Sequence, residues 1–303
     1  MLAHIIIWLF FMKHSLNPIS NSLLNAFYTG TFSVTNHDLN VNRMELFTTT
    51  LTHDEDYEVT KLCFSESKMS MAAIQALSTF FTTVAATEIQ ELHINAANFD
   101  DNSLKILANG LVHSQLQLLD LRYNYIKAEG AQILADLLPE TPIKALFLGH
   151  NHIKDEGAEI IGDILPNSNV EIIDLGSNDI TDAGVNELAR ILPDTDIIGL
   201  SLDKNTIGDL GAIFLAQELP GTNIKILSLK ECYIGDHGAK EIAGCLPHTN
   251  ISILNLGSNF IGDHVVGQFT QICLPEQLID LSNLHNNGHH VAIIGGVYHT
   301  DES

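Results

Sequence analysis

One feature leaves this chain few ways to fold, and it is a period. The segments Ile89 to Phe99, Leu116 to Ile126, Ile143 to Ile153, Val170 to Ile180, Ile197 to Ile207, Ile224 to Ile234 and Ile251 to Ile261 each begin 27 residues after the last. An earlier copy starts at Val59, 30 residues before Ile89, and a degenerate one closes the series at Leu278-Ile279-Asp280-Leu281. Self-similarity at fixed spacing describes a supersecondary unit that cannot bury its apolar face alone and must stack on its neighbours. A length of 303 residues would otherwise suggest two separate domains, and the repeat overrides that.

Each unit has two halves. The first reads L-x-x-L-x-L-x-x-N-x-I, an alternation that suits a strand with Leu at the fourth and sixth places turned inward. The Asn column (Asn124, Asn151, Asn178, Asn205, Asn259) sits where the chain leaves the strand, with Cys232 taking the place once. An amide there donates to and accepts from backbone groups that would otherwise be unpaired. The second half carries an apolar run at helical spacing. Asp101, Asp155, Asp182, Asp209, Asp236 and Asp263 precede it, Ala128 being the exception, and Pro139, Pro166, Pro193, Pro220 and Pro247 end it. Asp is expected to cap the helix amino terminus and Pro to stop the helix.

A strand followed by a helix every 27 residues resembles the leucine-rich repeat, in its ribonuclease-inhibitor-like subclass, over about Val59 to Leu284. The resemblance implies an α/β horseshoe solenoid with a parallel sheet on the concave side and helices on the convex side. Residues 59–284 then form about eight units with a short terminal cap, residues 1–58 an amino-terminal segment and cap, and residues 285–303 a tail. Within 1–58, Thr31-Phe32-Ser33-Val34 and Glu45-Leu46-Phe47-Thr48 suggest strands, and Asp54-Glu55-Asp56 a solvated loop. Leu2 to Met12 is almost wholly apolar but too short to span a bilayer, which takes about 20 residues. It reads as a poor signal or anchor, as a segment docked on the fold, or as sequence ahead of a true start at Met12.

Composition narrows the function classes. Fourteen basic against 37 acidic residues give a net charge of −23, which argues against duplex nucleic acid and anionic membrane as partners. Four scattered cysteines (Cys63, Cys232, Cys245, Cys273) suit a reducing compartment rather than a disulfide framework or a zinc site. Neither G-x-S-x-G, a Walker loop, H-E-x-x-H nor a kinase set occurs, so no catalytic residue, cofactor or metal site is expected. His285, His289 and His290 read as part of a polar tail.

The residues expected to carry function are those that the strand alternation turns toward the concave side. They are Leu118, Ile172, Ile226 and Ile253 at the third place, Asp120, Phe147 and Asp174 at the fifth, Arg122 and Lys230 at the seventh, and Tyr123, His150 and Lys204 at the eighth. An apolar row beside aromatic anchors is the composition of a protein interface. Asp136, Glu140, Glu156, Glu159, Asp163, Glu187, Glu218 and Glu241 fall on the helical side, where they serve solubility. The expected function is a non-catalytic scaffold that binds a protein. The alternatives are a regulator of a small GTPase, with Arg122 as the one concave Arg, or an inhibitor of a basic enzyme. The Asn- and Ile-rich composition also resembles that of the leucine-rich effectors that intracellular bacteria inject into host cells.

Overall fold

The computed structural model describes residues 31–33, 44, 59–83, 86, 88–272, 274–275, 277–282, 291–294 and 297–300. One 12-stranded sheet runs in chain order from β1 to β12. The strands are three residues long through most of it: β1 (Thr31–Ser33), β2 (Lys61–Cys63), β3 (Glu91–His93), β4 (Leu118–Asp120), β5 (Ala145–Phe147) and β6 (Ile172–Asp174). They continue with β7 (Gly199–Ser201), β8 (Ile226–Ser228), β9 (Ile253–Asn255) and β10 (Leu278–Asp280). All ten pair in parallel, and every unit meets the next in the same register, Leu119 beside Leu146, Ile173 and Leu200. Thr31–Ser33, expected as strand, is the first of them. The second expected strand, the acidic run, Leu2 to Met12 and the three terminal histidines lie outside the described residues.

Among the described residues eight helices are delimited between the strands: α1 (Met71–Phe80), α2 (Asp101–Leu111), α3 (Ala128–Leu137), α4 (Lys154–Ile164), α5 (Asp182–Ile191), α6 (Gly208–Glu218), α7 (Asp236–Cys245) and α8 (Asp263–Ile272). Strands pack about 4.8 Å apart and helices about 8–10 Å apart, so the stack bends with the sheet on its inner side. Leu and Ile from strand and helix of each unit meet in one continuous core, in which Leu119, Leu146, Leu148, Ile153, Ile161 and Leu175 have almost no exposed surface. Among the described residues no helix is long and apolar enough to cross a membrane.

Two connections differ from the sequence expectation. The prolines do not stop the helices directly. Pro139, Pro166, Pro193, Pro220 and Pro247 each sit in a single 3-10 turn, such as Leu138–Glu140 or Leu192–Asp194, that tightens the last coil of the helix before the chain returns. The aspartates do not cap their own helices either. Asp101, Asp182 and Asp236 are already the first helical residue, and Asp155 and Asp209 the second. Their carboxylates reach sideways to the next unit. Asp101 accepts from the Lys127 N–H at 2.8 Å, Asp155 from the Thr181 N–H at 2.7 Å and Asp236 from the Gly262 N–H at 2.7 Å. Asp209 accepts from both Gly235 and Gly238, at 2.7 and 3.0 Å. The free amides lie at the next unit's turn, so the column holds units together rather than ending single helices.

That sideways bond needs close approach. A Cβ on Gly184 would lie 2.5 Å from Asp155 Oδ1 and 2.9 Å from its Cα. Gly184→Ala should push α5 off α4 and lower stability by about 1–3 kcal/mol, the usual cost of overpacking. Urea unfolding measures it, and an unchanged midpoint would show that the units tolerate separation.

The carboxyl end is closed differently. β11 (Val291–Ile294) and β12 (Val297–Thr300) form an antiparallel hairpin on the edge of β10, with the fully buried Ile293 opposite Ile279.

Candidate functional site

In the three-residue strands from β2 to β10 the middle side chain is buried in the core and alternation turns its neighbours out of the sheet. The eighth residue of each unit follows on the rim. Glu66, Ala96, Tyr123, His150, Ser177, Lys204, Glu231 and Ser258 all have left-handed backbone, with φ between 52° and 59°. For a non-glycine residue this costs about 1–2 kcal/mol. The cost is offset by a bond to the following unit, for example His150 N–H to Gly176 O at 2.7 Å and Ser177 N–H to Asp203 O at 2.7 Å. Repeated in every unit, the kink turns the eighth side chain outward and sets neighbours in line. Tyr123 and His150 accordingly stack with centroids 4.1 Å apart and planes 11° from parallel. Burial and the nearby Lys204 push the His150 imidazole down from its ordinary value.

The first part of the face is polar. Lys61 meets Glu91 at 2.9 Å, and Glu91 meets His93 Nε2 at 3.1 Å. His93 Nδ1 lies 3.2 Å from Asp120 Oδ2. Arg122 clamps Asp120 with Nε at 3.0 Å and Nη2 at 2.7 Å, and its guanidinium lies 5.2 Å from the centre of the Phe147 ring. Asp120, counted from the sequence among the surface residues, has no exposed side-chain area. It positions Arg122 and His93 from below. Burial pushes its carboxyl upward, but the bonds from His93 and Arg122 overcome that and hold it far below the usual carboxylate range.

The later part of the face is apolar at the third place. Ile172, Ile226 and Ile253 are exposed by 39%, 47% and 40%, against partial burial for Leu118. Asp174 is half-buried, with Oδ1 accepting from Gly176 N–H at 2.9 Å. Its second oxygen takes the space above Gly149, whose Cβ would come within 2.7 Å of it. Asp203 accepts from Ser228 Oγ at 2.6 Å and Lys230 N–H at 2.8 Å. Lys204 follows it in sequence and is exposed, and Lys230 leans toward Glu231 at 3.9 Å. Apart from the partly buried Leu118, the twelve residues thus fall into two groups. One gathers Asp120, Arg122, Tyr123, Phe147 and His150, and the other follows the isoleucines beside Asp174, Lys204 and Lys230.

Sequence reasoning missed two sets. Leu278, 37% exposed, continues the isoleucine row from the degenerate closing copy, beyond the third-place column that ends at Ile253. The tenth place forms a second aromatic row, with Tyr125 beside His152 (6.2 Å) and Tyr233 beside Phe260 (6.0 Å). Reading the tenth column as the third and eighth were read would have found it. The Cys232 thiol is fully buried, bonds Leu202 O at 3.2 Å and is pushed up to about 12 by burial, in keeping with a place in the asparagine column. The acidic residues expected on the helical side are there, with Asp136, Glu140, Glu156, Glu159, Asp163 and Glu241 exposed and Glu187 and Glu218 partly so.

Comparison with known proteins bears on the fold. The family model described as Leucine Rich repeat matches residues 141–162 and 167–189. No curated protein shows significant sequence similarity to the chain. Among solved structures, a chain of the yeast Rad7 and Elc1 complex aligns with a TM-score of 0.51 and 12% identity, over 75% of this chain and 64% of that one. The chain therefore spans less than two thirds of that protein. The TLR13–ssRNA13 complex aligns with a TM-score of 0.42 and 15% identity, over 67% of this chain and 36% of that one. The actin-binding site 2 of leiomodin-1 aligns with a TM-score of 0.33 and 15% identity, over 52% and 77%.

Proposed function

Because the chain is a leucine-rich repeat solenoid, we propose that it is a non-catalytic scaffold that grips a protein partner on the outward face of its sheet. The observation that carries this is the row of Ile172, Ile226 and Ile253, each more than a third exposed on a surface that the fold otherwise has no reason to leave apolar. The Tyr123–His150 stack and the Arg122–Phe147 pair add rigid aromatic and guanidinium groups, the types that dominate binding energy at interfaces. The helical side, covered with carboxylates, suits solvent. Free Cys63, Cys232 and Cys245 fit action in a reducing compartment, and the composition supports a role as an injected bacterial effector in a host cell.

The test is affinity purification with the full chain, with bound proteins identified by mass spectrometry and wild type compared with Ile226→Ser/Ile253→Ser and with Phe147→Ala/Ile172→Ala. Partners should fall about tenfold or more with either double variant. Undiminished partners, with circular dichroism unchanged, would sink the reading.

A further inference from the structure

The third-place row has a spacing, and the spacing selects what can lie along it. Ile172, Ile226, Ile253 and Leu278 come from β6, β8, β9 and β10, consecutive but for β7. There Gly199 has no side chain and is itself buried, and the atoms nearest the place of its Cβ belong to Ile172, 3.6 Å away. Ile172 thus covers the gap, and one apolar stripe crosses five strands. At about 4.8 Å per strand it is about 19 Å long, running across the strands rather than along them.

An extended segment laid on this stripe places same-face side chains about 6.8 Å apart, and falls out of step within two strands. An α-helix places them at i, i+3 and i+7, about 4.5–6 Å apart, one per turn and so one per strand. The charges beside the stripe are asymmetric. On the fifth-place side stand the carboxylates of Asp174 and Asp280 at either end, with Ser201, Ser228 and Asn255 between and Lys204 and Lys230 farther from the stripe at the eighth and seventh places. On the second-place side Glu171 is paired with Lys144 at 2.7 Å, and Lys225 is exposed. Resting on the scaffold reading above, we propose that the segment taken from the partner is an amphipathic helix of about four turns, with one apolar side chain per turn and Lys or Arg along the flank that faces Asp174 and Asp280.

A fluorescein-labelled peptide of that pattern, with leucines at i, i+3, i+7 and i+10 and lysines on one flank, serves as the probe for fluorescence anisotropy with the full chain. Three arms accompany it: a scrambled peptide of the same composition, a version with Glu for Lys, and the chain variants Ile226→Ser/Ile253→Ser and Asp174→Asn. The patterned peptide should bind saturably, about tenfold tighter than the scrambled or acidic one. Ile226→Ser/Ile253→Ser should weaken it about tenfold and Asp174→Asn several-fold, while Leu210→Ser, an exposed change on α6, should leave it unaltered. Equal binding of the scrambled peptide, no saturable binding, or indifference to the isoleucine pair would overturn the proposal. Cross-linking of a purified partner separates the two readings. A non-helical partner segment on the stripe defeats the helix but keeps the scaffold, and a partner seated elsewhere defeats both.

Discussion

Asn205→Ala is expected to cost about 3–4 kcal/mol of unfolding free energy, several times the loss from Cys232→Ala one unit along. The side chain of Asn205 satisfies four buried backbone groups. Its Oδ1 accepts from the N–H of Asn178 at 2.9 Å and of Ile180 at 3.0 Å, and its Nδ2 donates to Leu175 O and Leu202 O, both at 2.9 Å. Alanine leaves two donors and the Leu175 carbonyl without a partner, and Leu202 O with only the Cys232 thiol, in a region closed to water. At about 1 kcal/mol for each orphaned group, the low end for a buried unsatisfied group, and a smaller loss at Leu202 O, the sum is about 3–4 kcal/mol. Cys232 makes one strong-side contact, Sγ to Leu202 O at 3.2 Å, and a weaker one to Lys230 O at 3.4 Å, so its truncation should cost about 1 kcal/mol. Urea denaturation gives the totals. Hydrogen exchange gives the location, since a solenoid transmits a defect mainly to its neighbours, and protection should fall first around β6 to β8. Equal losses at the two positions would mean that the column is held by backbone pairing alone.

The same pair of residues shows what the sequence discloses and what it withholds. That Asn and Cys share one place is visible from the period, and the period also yields the strands, the helices and their order. The direction in which a polar side chain reaches is not visible. Asp155 looks like a helix cap because it precedes an apolar run, yet its carboxylate bonds Thr181, 26 residues on, since the unpaired amide is in the next unit. The face shows the same division. Strand alternation correctly turned Ile172 and Ile226 outward, because one residue decides each direction. Asp120 has the same alternation, but three neighbours converge on it, His93, Asn95 and Arg122, and together they enclose it. Convergence of side chains from different units leaves no mark at a fixed spacing. Leu278 and the tenth-place aromatics were missed for a simpler reason, that the motif fades in the last unit and the search ended at the eighth place.

That enclosure makes Asp120 the other position where a single atom change should tell. Asp120→Asn keeps the shape but replaces a carboxylate with an amide whose NH2 would face the donors Arg122 and Asn95. Removing one partner of a buried ion pair costs about 3–5 kcal/mol. Arg122 is 40% exposed and can turn to water, so the expected loss is nearer about 2–3 kcal/mol at neutral pH. The pH dependence follows from the depressed carboxyl. A folded-state value below the unfolded one, about 3.9, means that the ionised form binds the fold better. Its contribution is whole above the unfolded value and is lost as pH falls toward the folded one. Wild type and Asp120→Asn should therefore differ most above about pH 5, and by less with each step below about pH 4. A gap that widens below about pH 4 would mean that Asp120 enters the fold protonated. Released from Asp120, Arg122 also leaves Phe147, so this variant should expose the ring and weaken any partner that depends on the polar part of the face. The isoleucine stripe, four strands away at Ile226, should bind its helix as before.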